Sequence, residues 1–210
     1  MRFWKVAAIG AAVATAGAAA VYAQYRSSVD EPEFTLLMDE GEFQLRRYQP
    51  MIVAEVTHTG ARRKSLEAGF KRLAAYIFAE DRPGEKIAMT SPVMQDQSEK
   101  IAMTAPVMQD GGDGTGTWRT RFVMPAEYTM ETLPTPPQDI ALEEVPERKI
   151  AAIRFSGRGT NDDLREQEAA LRRWIASKGL VPSGEAEYAF YDAPMVPPPM
   201  RRNEVMIPVG

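Results

Sequence analysis

One order of secondary structure occurs twice along this chain, and that repeat limits the possible folds more than any other feature. When the sequence is laid over itself at an offset of 97 residues, apolar positions and a glycine coincide. The coinciding pairs are Leu45 with Leu142, Val53 with Ile150, Ala54 with Ala151, Val56 with Ile153, and Gly60 with Gly157. Each half then reads strand, strand, helix, strand, strand. This tandem duplication predicts an α+β fold, a distorted and mostly antiparallel β-barrel made from two repeated ββαββ halves, with two helices packed on the sheet.

The period of the apolar residues predicts the individual elements of both halves. Alternating patterns predict strands at 34–38, 42–48, 51–58, 86–94, 100–108, 117–124, 139–145, 149–155, 187–191 and 204–209. Leu66, Phe70, Leu73 and Ile77 follow one another at helical spacing, which predicts an amphipathic helix over residues 62–79. A second helix is expected from Thr160 or Asn161 to Lys178, with Gly179 as the residue that ends it.

A second, much closer repeat lies inside the first half. Residues 85–96 read EKIAMTSPVMQD and residues 99–110 read EKIAMTAPVMQD, so that eleven of twelve positions are identical. The short polar link between the copies predicts a β-hairpin extension. The repeated Met, Thr, Pro and Val could form a ligand-binding segment, but a core strand that was copied locally is the favoured interpretation, because Met commonly fills gaps in cores.

The first 33 residues have the pattern of a targeting segment followed by a linker. Arg2 and Lys5 precede an uncharged, alanine-rich stretch over residues 6–25, and small or aliphatic residues precede a cleavage site after Ala23. Residues 1–23 are therefore expected to be a signal peptide or an N-terminal membrane anchor, residues 24–33 a linker, and residues 34–210 the folded domain. Either interpretation predicts a periplasmic or exported protein, and under the anchor interpretation residues 6–25 hold it at the inner membrane.

Composition excludes several kinds of chemistry. The chain has no cysteine and one histidine, His58, so thiol nucleophiles, iron–sulfur clusters and sites with several imidazole ligands are excluded. The formal net charge of −4 argues against nucleic acid as a partner, because a duplex-binding protein needs a basic face.

Five segments in a fixed order resemble the SOUL/haem-binding protein family. They read FQLRRYQPMIVAEV, GFKRLAAYIF, KIAMTAPV, FVMPAEYTMETLPTP and RRNEVMIPV, and the similarity extends from residue 34 to residue 209. The resemblance implies a distorted barrel of two repeated halves that binds haem or another tetrapyrrole, as a carrier or buffer, with weak or no dedicated ligation of the iron. It identifies no protein partner. Some family members carry a histidine before the tyrosine of the second strand, but Arg47 stands before Tyr48 here.

The resemblance implies a haem surface along the first helix and the loop before Glu204. Haem needs an apolar slot and cations for its propionates. The candidate residues are Phe70, Leu73 and Ile77 for the apolar part, and Arg63, Lys71, Arg201 and Arg202 for the propionates. The alternative is that the apolar residues are only the core face of the helix and that the cations lie on a solvated face. His58 is the candidate iron ligand, or else a structural histidine that a nearby carbonyl satisfies.

Glu204 supports a second hypothesis. A buried carboxylate needs a partner, so Glu204 is expected either to pair with Arg201 or Arg202 or to face a cleft. In the second case the protein would bind a small molecule, or hydrolyse one, with Glu204 in the cleft. Nucleophile–base motifs, metal clusters and phosphate loops do not occur in the sequence, so an enzyme is not expected. A third hypothesis is a protein-interaction role for the proline-rich residues 194–200.

Overall fold

The structure, a computed structural model, describes residues 30–97 and 115–210. The predicted targeting segment, most of the predicted linker and the predicted strand at 100–108 lie outside the described residues. Residues Glu31–Gly210 form one compact unit. Its strands are β1 (Phe34–Glu40), β2 (Phe43–Tyr48), β3 (Met51–Ala61), β4 (Val93–Gln97), β5 (Thr115–Val123), β6 (Ala141–Val145), β7 (Arg148–Phe155), β8 (Glu187–Phe190) and β9 (Asn203–Val209). The helices are α1 (Arg62–Ile77), α2 (Asn161–Ser177) and a short 3₁₀ turn at Pro198–Met200.

The order of the strands confirms the duplication. The described strands form one sheet in the order β1-β2-β7-β9-β8-β4-β5-β3-β6, and all neighbours in it are antiparallel. In this order β2, β3, β4 and β5 of the first half correspond to β6, β7, β8 and β9 of the second half. When each strand is replaced by its counterpart, the same order of eight strands is obtained, read from the opposite edge of the sheet. The β4–β8 pair therefore lies at the centre of a pseudo-twofold arrangement, and β1 is an additional edge strand. The predicted fold class is confirmed, with the distorted barrel left open between β1 and β6.

Strand exchange ties the two halves together. The first strand of each half pairs with the second strand of the other half, β2 with β7 and β6 with β3. The register obeys the 97-residue offset, because Arg46 faces Ile150 and their counterparts Glu143 and Val53 face each other. Neither half can therefore complete its part of the sheet alone.

Among the described residues, the core consists of three apolar clusters. One lies beneath α1 and includes Leu73, Tyr76 and Phe122, and another lies beneath α2 and includes Leu171 and Ile175. The third lies on the face of the sheet that is turned away from the helices, since its members alternate along the strands with those of the first two. Its buried members are Tyr48, Val53, Met94, Val123, Ile150, Ala152, Ala189 and Met206.

The two helices begin in different ways. The side chain of Thr160 accepts a hydrogen bond from the backbone N–H of Asp163, and the Asp163 side chain accepts one from the backbone N–H of Thr160, so α2 starts with a capping box. In contrast, β3 runs directly into α1 at Ala61, which makes no side-chain cap.

The predicted strand at residues 86–94 is wrong over most of its length. The strand itself is Val93–Gln97, and the residues before it lie against the end of α1. The Ile87 N–H donates to the Ile77 carbonyl at 2.7 Å, and the Ile87 side chain is buried in the α1 cluster. Alternating apolar residues therefore mark a packed segment here, and the strand of the sheet begins only at Val93.

Candidate functional site

The candidate residues of α1 divide into a buried and an exposed group. Leu73 and Ile77 are only 0% and 1% exposed and belong to the core beneath the helix. Phe70 is 37% exposed, and Arg63 and Lys71 are also exposed. Helical periodicity puts Phe70 at the border between the core face and the solvent face. The helix therefore offers part of an aromatic ring to solvent beside two cations.

Phe78 extends this exposed face and was missed by the sequence analysis. It follows Phe70 by eight residues, about two helical turns, and is also 37% exposed. The spacing itself was the signal that could have identified it. We call Arg63, Phe70, Lys71 and Phe78 the outer α1 surface.

Two contacts involve side chains of the outer α1 surface. The Phe70 ring lies edge-on to the Phe122 ring, with 5.4 Å between the centroids, so the sheet below positions it. Arg63 Nε lies 3.2 Å from Glu67 Oε1, and both side chains are exposed. Exposed pairs of this kind contribute little to stability, so Arg63 is available to another carboxylate at small cost.

His58 lies on β3, on the strand face that carries Ala54 and Val56 into the α1 cluster. It faces Trp118 across the β3–β5 pair and is partly buried. Its Nδ1 atom is buried, and among the described residues it has no hydrogen-bond partner. The nitrogen of a structural histidine usually donates a hydrogen bond to a carbonyl, and Nδ1 of His58 does not do so with any described residue. The role of His58 as an iron ligand therefore stays a prediction.

Glu204 lies at the centre of a buried network on the face opposite the helices. Arg46 donates to both of its carboxylate oxygens, from Nη1 at 2.6 Å and from Nη2 at 3.0 Å. The Tyr191 hydroxyl donates to Oε2 at 2.8 Å, and Arg154 Nε donates to Oε1 at 3.4 Å. The principal partner is therefore Arg46, a residue that the sequence analysis missed. A carboxylate at the start of an otherwise apolar strand could have prompted a search for such a cation.

The two arginines expected to pair with Glu204 are used differently. Arg202 Nε is 3.8 Å from Glu204 Oε1, while its guanidinium lies 3.4 Å from the centre of the Tyr191 ring and also pairs with Glu31. Arg201 donates to the carbonyls of Val196 and Pro194 and so holds the proline-rich loop in place. The structure thus places Arg202 and Glu204 on the other face of the sheet from the outer α1 surface.

The electrostatics of Glu204 favour a structural role. Burial raises the pKa of this carboxyl, but the hydrogen bonds and charge of Arg46, with the charge of Arg202, outweigh burial and leave the pKa below its usual value. Burial and the charge of Glu204 hold the Tyr191 pKa well above its usual value, so Tyr191 stays a donor. A carboxylate held ionised by two cations is a poor general base.

The face opposite the helices also offers little space. A cavity of about 10 Å³ remains there, lined by Pro32, Tyr48, Met51, Pro92, Met94, Arg148, Ile150 and Met206. That volume accommodates about one water molecule. Glu204 is not among the residues that line this cavity.

Within residues 30–97 and 115–210, no group of three or more acidic or histidine side chains could hold a metal ion. In the same part of the chain, no helix has the length and apolar character needed to span a membrane.

The family model described as SOUL heme-binding protein matches residues 29–208. The chain belongs to this family. No curated protein matches the chain in sequence. Among solved structures, this SOUL protein is similar to the EcmrR C-terminal domain, with a TM-score of 0.58 and 13% identity over 80% of this chain and 96% of that one. It is also similar to a hydrolase from Listeria innocua, with a TM-score of 0.54 and 11% identity over 83% of this chain and 94% of that one. At these identities the two similarities show a shared fold alone.

Proposed function

We propose that this SOUL protein binds haem or another tetrapyrrole, and that it acts as a carrier or buffer. The observation that carries the proposal is the match to the SOUL heme-binding family over residues 29–208. The structure adds a surface with suitable chemistry, because the outer α1 surface combines exposed aromatic rings with cations.

The residues of the outer α1 surface fit the two parts of a haem. Phe70 and Phe78 would contact the apolar macrocycle, and Arg63 and Lys71 would pair with the two propionates. Leu73 and Ile77 pack beneath this surface in the core and would not contact the haem. Arg202 and Glu204 have a structural role in their own network on the opposite face of the sheet. Bound haem supplies an iron that can take ligands and electrons. The protein contributes the binding surface, which is open enough for reversible exchange.

Titration of the full chain with hemin tests the proposal. Because the surface combines apolar and charged contacts, we expect a saturable shift of the Soret band at micromolar hemin. No saturable shift in that range would contradict the proposal.

A His58→Ala variant then separates surface binding from axial ligation. Binding without dedicated ligation predicts a Soret spectrum like that of the wild-type protein. A changed spectrum, with the fold intact by circular dichroism, would instead identify the His58 imidazole as an iron ligand.

We further propose that the protein acts outside the cytoplasm. The basic residues Arg2 and Lys5, the uncharged stretch over residues 6–25 and the cleavage pattern at Ala23 support export. Cell fractionation tests this, because we expect the protein in the periplasm or at the inner membrane. A protein that is found in the cytosol at its full mass would contradict it.

A further inference from the structure

The outer edge of β6 carries two neighbouring acidic residues, and the internal repeat indicates what such an edge can bind. Among the described residues β6 ends the sheet, because it pairs with β3 alone. Its counterpart in the first half is β2, which has the equivalent position but is covered by β1. The pseudo-twofold arrangement therefore has a strand position beside β6 that no described residue fills.

The segment equivalent to β1 in the second half does not form a strand. The offset of 97 residues lays β1 over residues 131–137, which read Glu-Thr-Leu-Pro-Thr-Pro-Pro. Proline has no N–H to donate to a neighbouring strand. Leu133 is instead buried in the α1 cluster, and the Pro134 carbonyl accepts a hydrogen bond from the Tyr76 hydroxyl at 2.7 Å. This segment thus packs against α1 and does not cover β6.

Charge distinguishes the two equivalent edges. In β2, Arg46 and Arg47 pair with residues of β1. At the corresponding positions β6 has Glu143 and Glu144, and both are exposed. Their side chains point to opposite faces of the sheet, because they are consecutive residues of a strand. A strand that added to β6 as β1 adds to β2 would therefore meet one carboxylate on each face.

The carboxylate on the face turned away from the helices has an acidic neighbour. Glu143 pairs with Val53 of β3, so it lies diagonally across from Glu55 on the same face. Glu55 Oε2 is buried and has no hydrogen-bond partner among the described residues, although Arg119 Nη1 lies 3.6 Å away. Burial and the charge of Glu143 raise the pKa of Glu55, and Arg119 opposes them. A further cation beside Glu143 would reduce the repulsion between these carboxylates.

The edge strands of a second copy of this chain do not supply that cation. Strands β1 (FTLLMDE) and β6 (ALEEV) contain neither lysine nor arginine. Two β6 edges would bring the glutamates of both copies together, and like charges that face each other destabilise a strand pair. The acidic residues therefore protect the edge against self-association. They do not exclude a strand of opposite charge.

We propose that the outer edge of β6 is a docking site for an extended segment of another protein, one with two consecutive basic residues between apolar ones. The segment would add to the sheet as a further strand through main-chain hydrogen bonds. Its two cations would pair with Glu143 and Glu144. The argument rests on the internal repeat and on charge, so it does not depend on haem binding.

A synthetic peptide based on the β1 sequence serves as the probe. Thr35→Lys and Leu36→Lys put lysines at the positions that would meet the two glutamates of β6. Asp39→Thr and Glu40→Thr remove the acidic residues of the original strand. We call this probe the lysine peptide.

Fluorescence anisotropy of the labelled lysine peptide measures its binding to the full chain. We expect a saturable rise at micromolar concentrations, because main-chain and charged contacts act together. The same peptide with Leu37→Pro is the control, since proline interrupts the pairing of a strand. No saturable binding of the lysine peptide, or equal binding of the proline control, would overturn the proposal.

Charge reversal on the protein tests the role of the two glutamates. Glu143→Lys/Glu144→Lys should bind the lysine peptide at least about fivefold more weakly, because two favourable cross-strand pairs become unfavourable. It should instead bind a peptide with glutamates in place of both lysines. Glu166→Lys/Glu185→Lys makes the same change in net charge at exposed positions elsewhere and should stay within about twofold of wild type. Equal losses in the two variants would overturn the proposal.

Hydrogen exchange locates the bound peptide on the wild-type protein. We expect the backbone amides of residues 141–145 to exchange more slowly when the lysine peptide is present. Binding that leaves these amides unchanged would overturn the proposal. A dimer in which β6 is already protected without peptide would also overturn it, because a second copy would then occupy the edge. The same holds for a monomer with β6 protected by its own chain.

Discussion

Arg46 and Glu204 form a buried, bidentate ion pair that joins the two halves of the chain. The two residues are 158 positions apart in sequence, on strands β2 and β9, which flank β7. Both side chains are almost fully buried, with exposures of 2% and 0%. The pair therefore helps to hold β2, from the first half, beside β7 and β9 of the second half.

Removal of one partner of this pair should strongly destabilise the protein. We expect Glu204→Gln or Arg46→Met to lower the free energy of unfolding by about 3–5 kcal/mol, because each leaves a buried polar or charged group without its partner. The double variant Arg46→Met/Glu204→Met should recover much of that loss. Urea denaturation measures all three, and Arg165→Met, in an exposed pair with Asp162, is the control with an effect below about 1 kcal/mol. Single variants as mild as this control would contradict the account.

Acid should unfold the protein in part through Glu204 and Glu187. Burial raises the pKa of each carboxyl, but neighbouring arginines lower it below its usual value. Arg46 has this effect on Glu204, and Arg148 and Arg121 have it on Glu187. A folded-state pKa below the unfolded one means that this stability is fully present above about pH 4.3 and is lost as the pH falls through the folded pKa. Melting temperatures between pH 6 and pH 2.5 should therefore decline, and the decline should be smaller in Glu204→Gln. An equal decline in both proteins would argue against the role of Glu204.

Gly69 is required by the close approach of α1 to β5. A Cβ atom at this position would lie 2.5 Å from Thr120 Oγ1 and 2.6 Å from Thr120 Cβ. We expect Gly69→Ala to destabilise the protein by about 1–3 kcal/mol, despite the better helix propensity of alanine. Glu67→Ala, exposed on the same helix, is the matched control and should change thermal stability little. A stabilised Gly69→Ala protein would show that α1 can move away from the sheet.

The start of α2 depends on Thr160. Its hydroxyl accepts the Asp163 N–H at 3.2 Å, so Thr160→Ala should lower the free energy of unfolding by about 0.5–2 kcal/mol. Glu166→Ala, exposed in the same helix, serves as the comparison. Equal effects of the two substitutions on chemical denaturation would mean that the capping box does not stabilise the helix.

The sequence was sufficient to predict the order of the elements but not every partner. The 97-residue offset predicted the halves correctly, because buried strand positions such as Val53 and Ile150 must stay apolar in both copies. The offset carries no information on polar partners, because Glu143 stands 97 residues after Arg46. Glu204 lies opposite Arg154 in the β7–β9 register, and the equivalent position in the β3–β5 register is Arg119, opposite Thr57. The residue that neutralises Glu204 comes from a distant strand, and only the exchange of strands between the halves brings it there.

The candidate site was predictable in part. The spacing of Phe70, Leu73 and Ile77 predicted the helix, but a single stripe of apolar residues does not show which member lies at its border. That depends on how α1 sits on β5, which the small residue Gly69 and the Phe122 ring determine. Phe78 was missed because it lies outside the stripe of Leu66, Phe70, Leu73 and Ile77 from which the helix was predicted.

The most direct test of the account compares hemin affinities of two charge-reversal variants. Arg63→Glu/Lys71→Glu changes the outer α1 surface, and Arg165→Glu/Arg173→Glu makes the same change in net charge on exposed positions of α2. If Arg63 and Lys71 bind the propionates, the first variant should bind hemin at least about tenfold more weakly in a Soret titration, equivalent to about 1.4 kcal/mol. The second should stay within about twofold of wild type. Equal affinities for the two variants would contradict haem binding at the outer α1 surface.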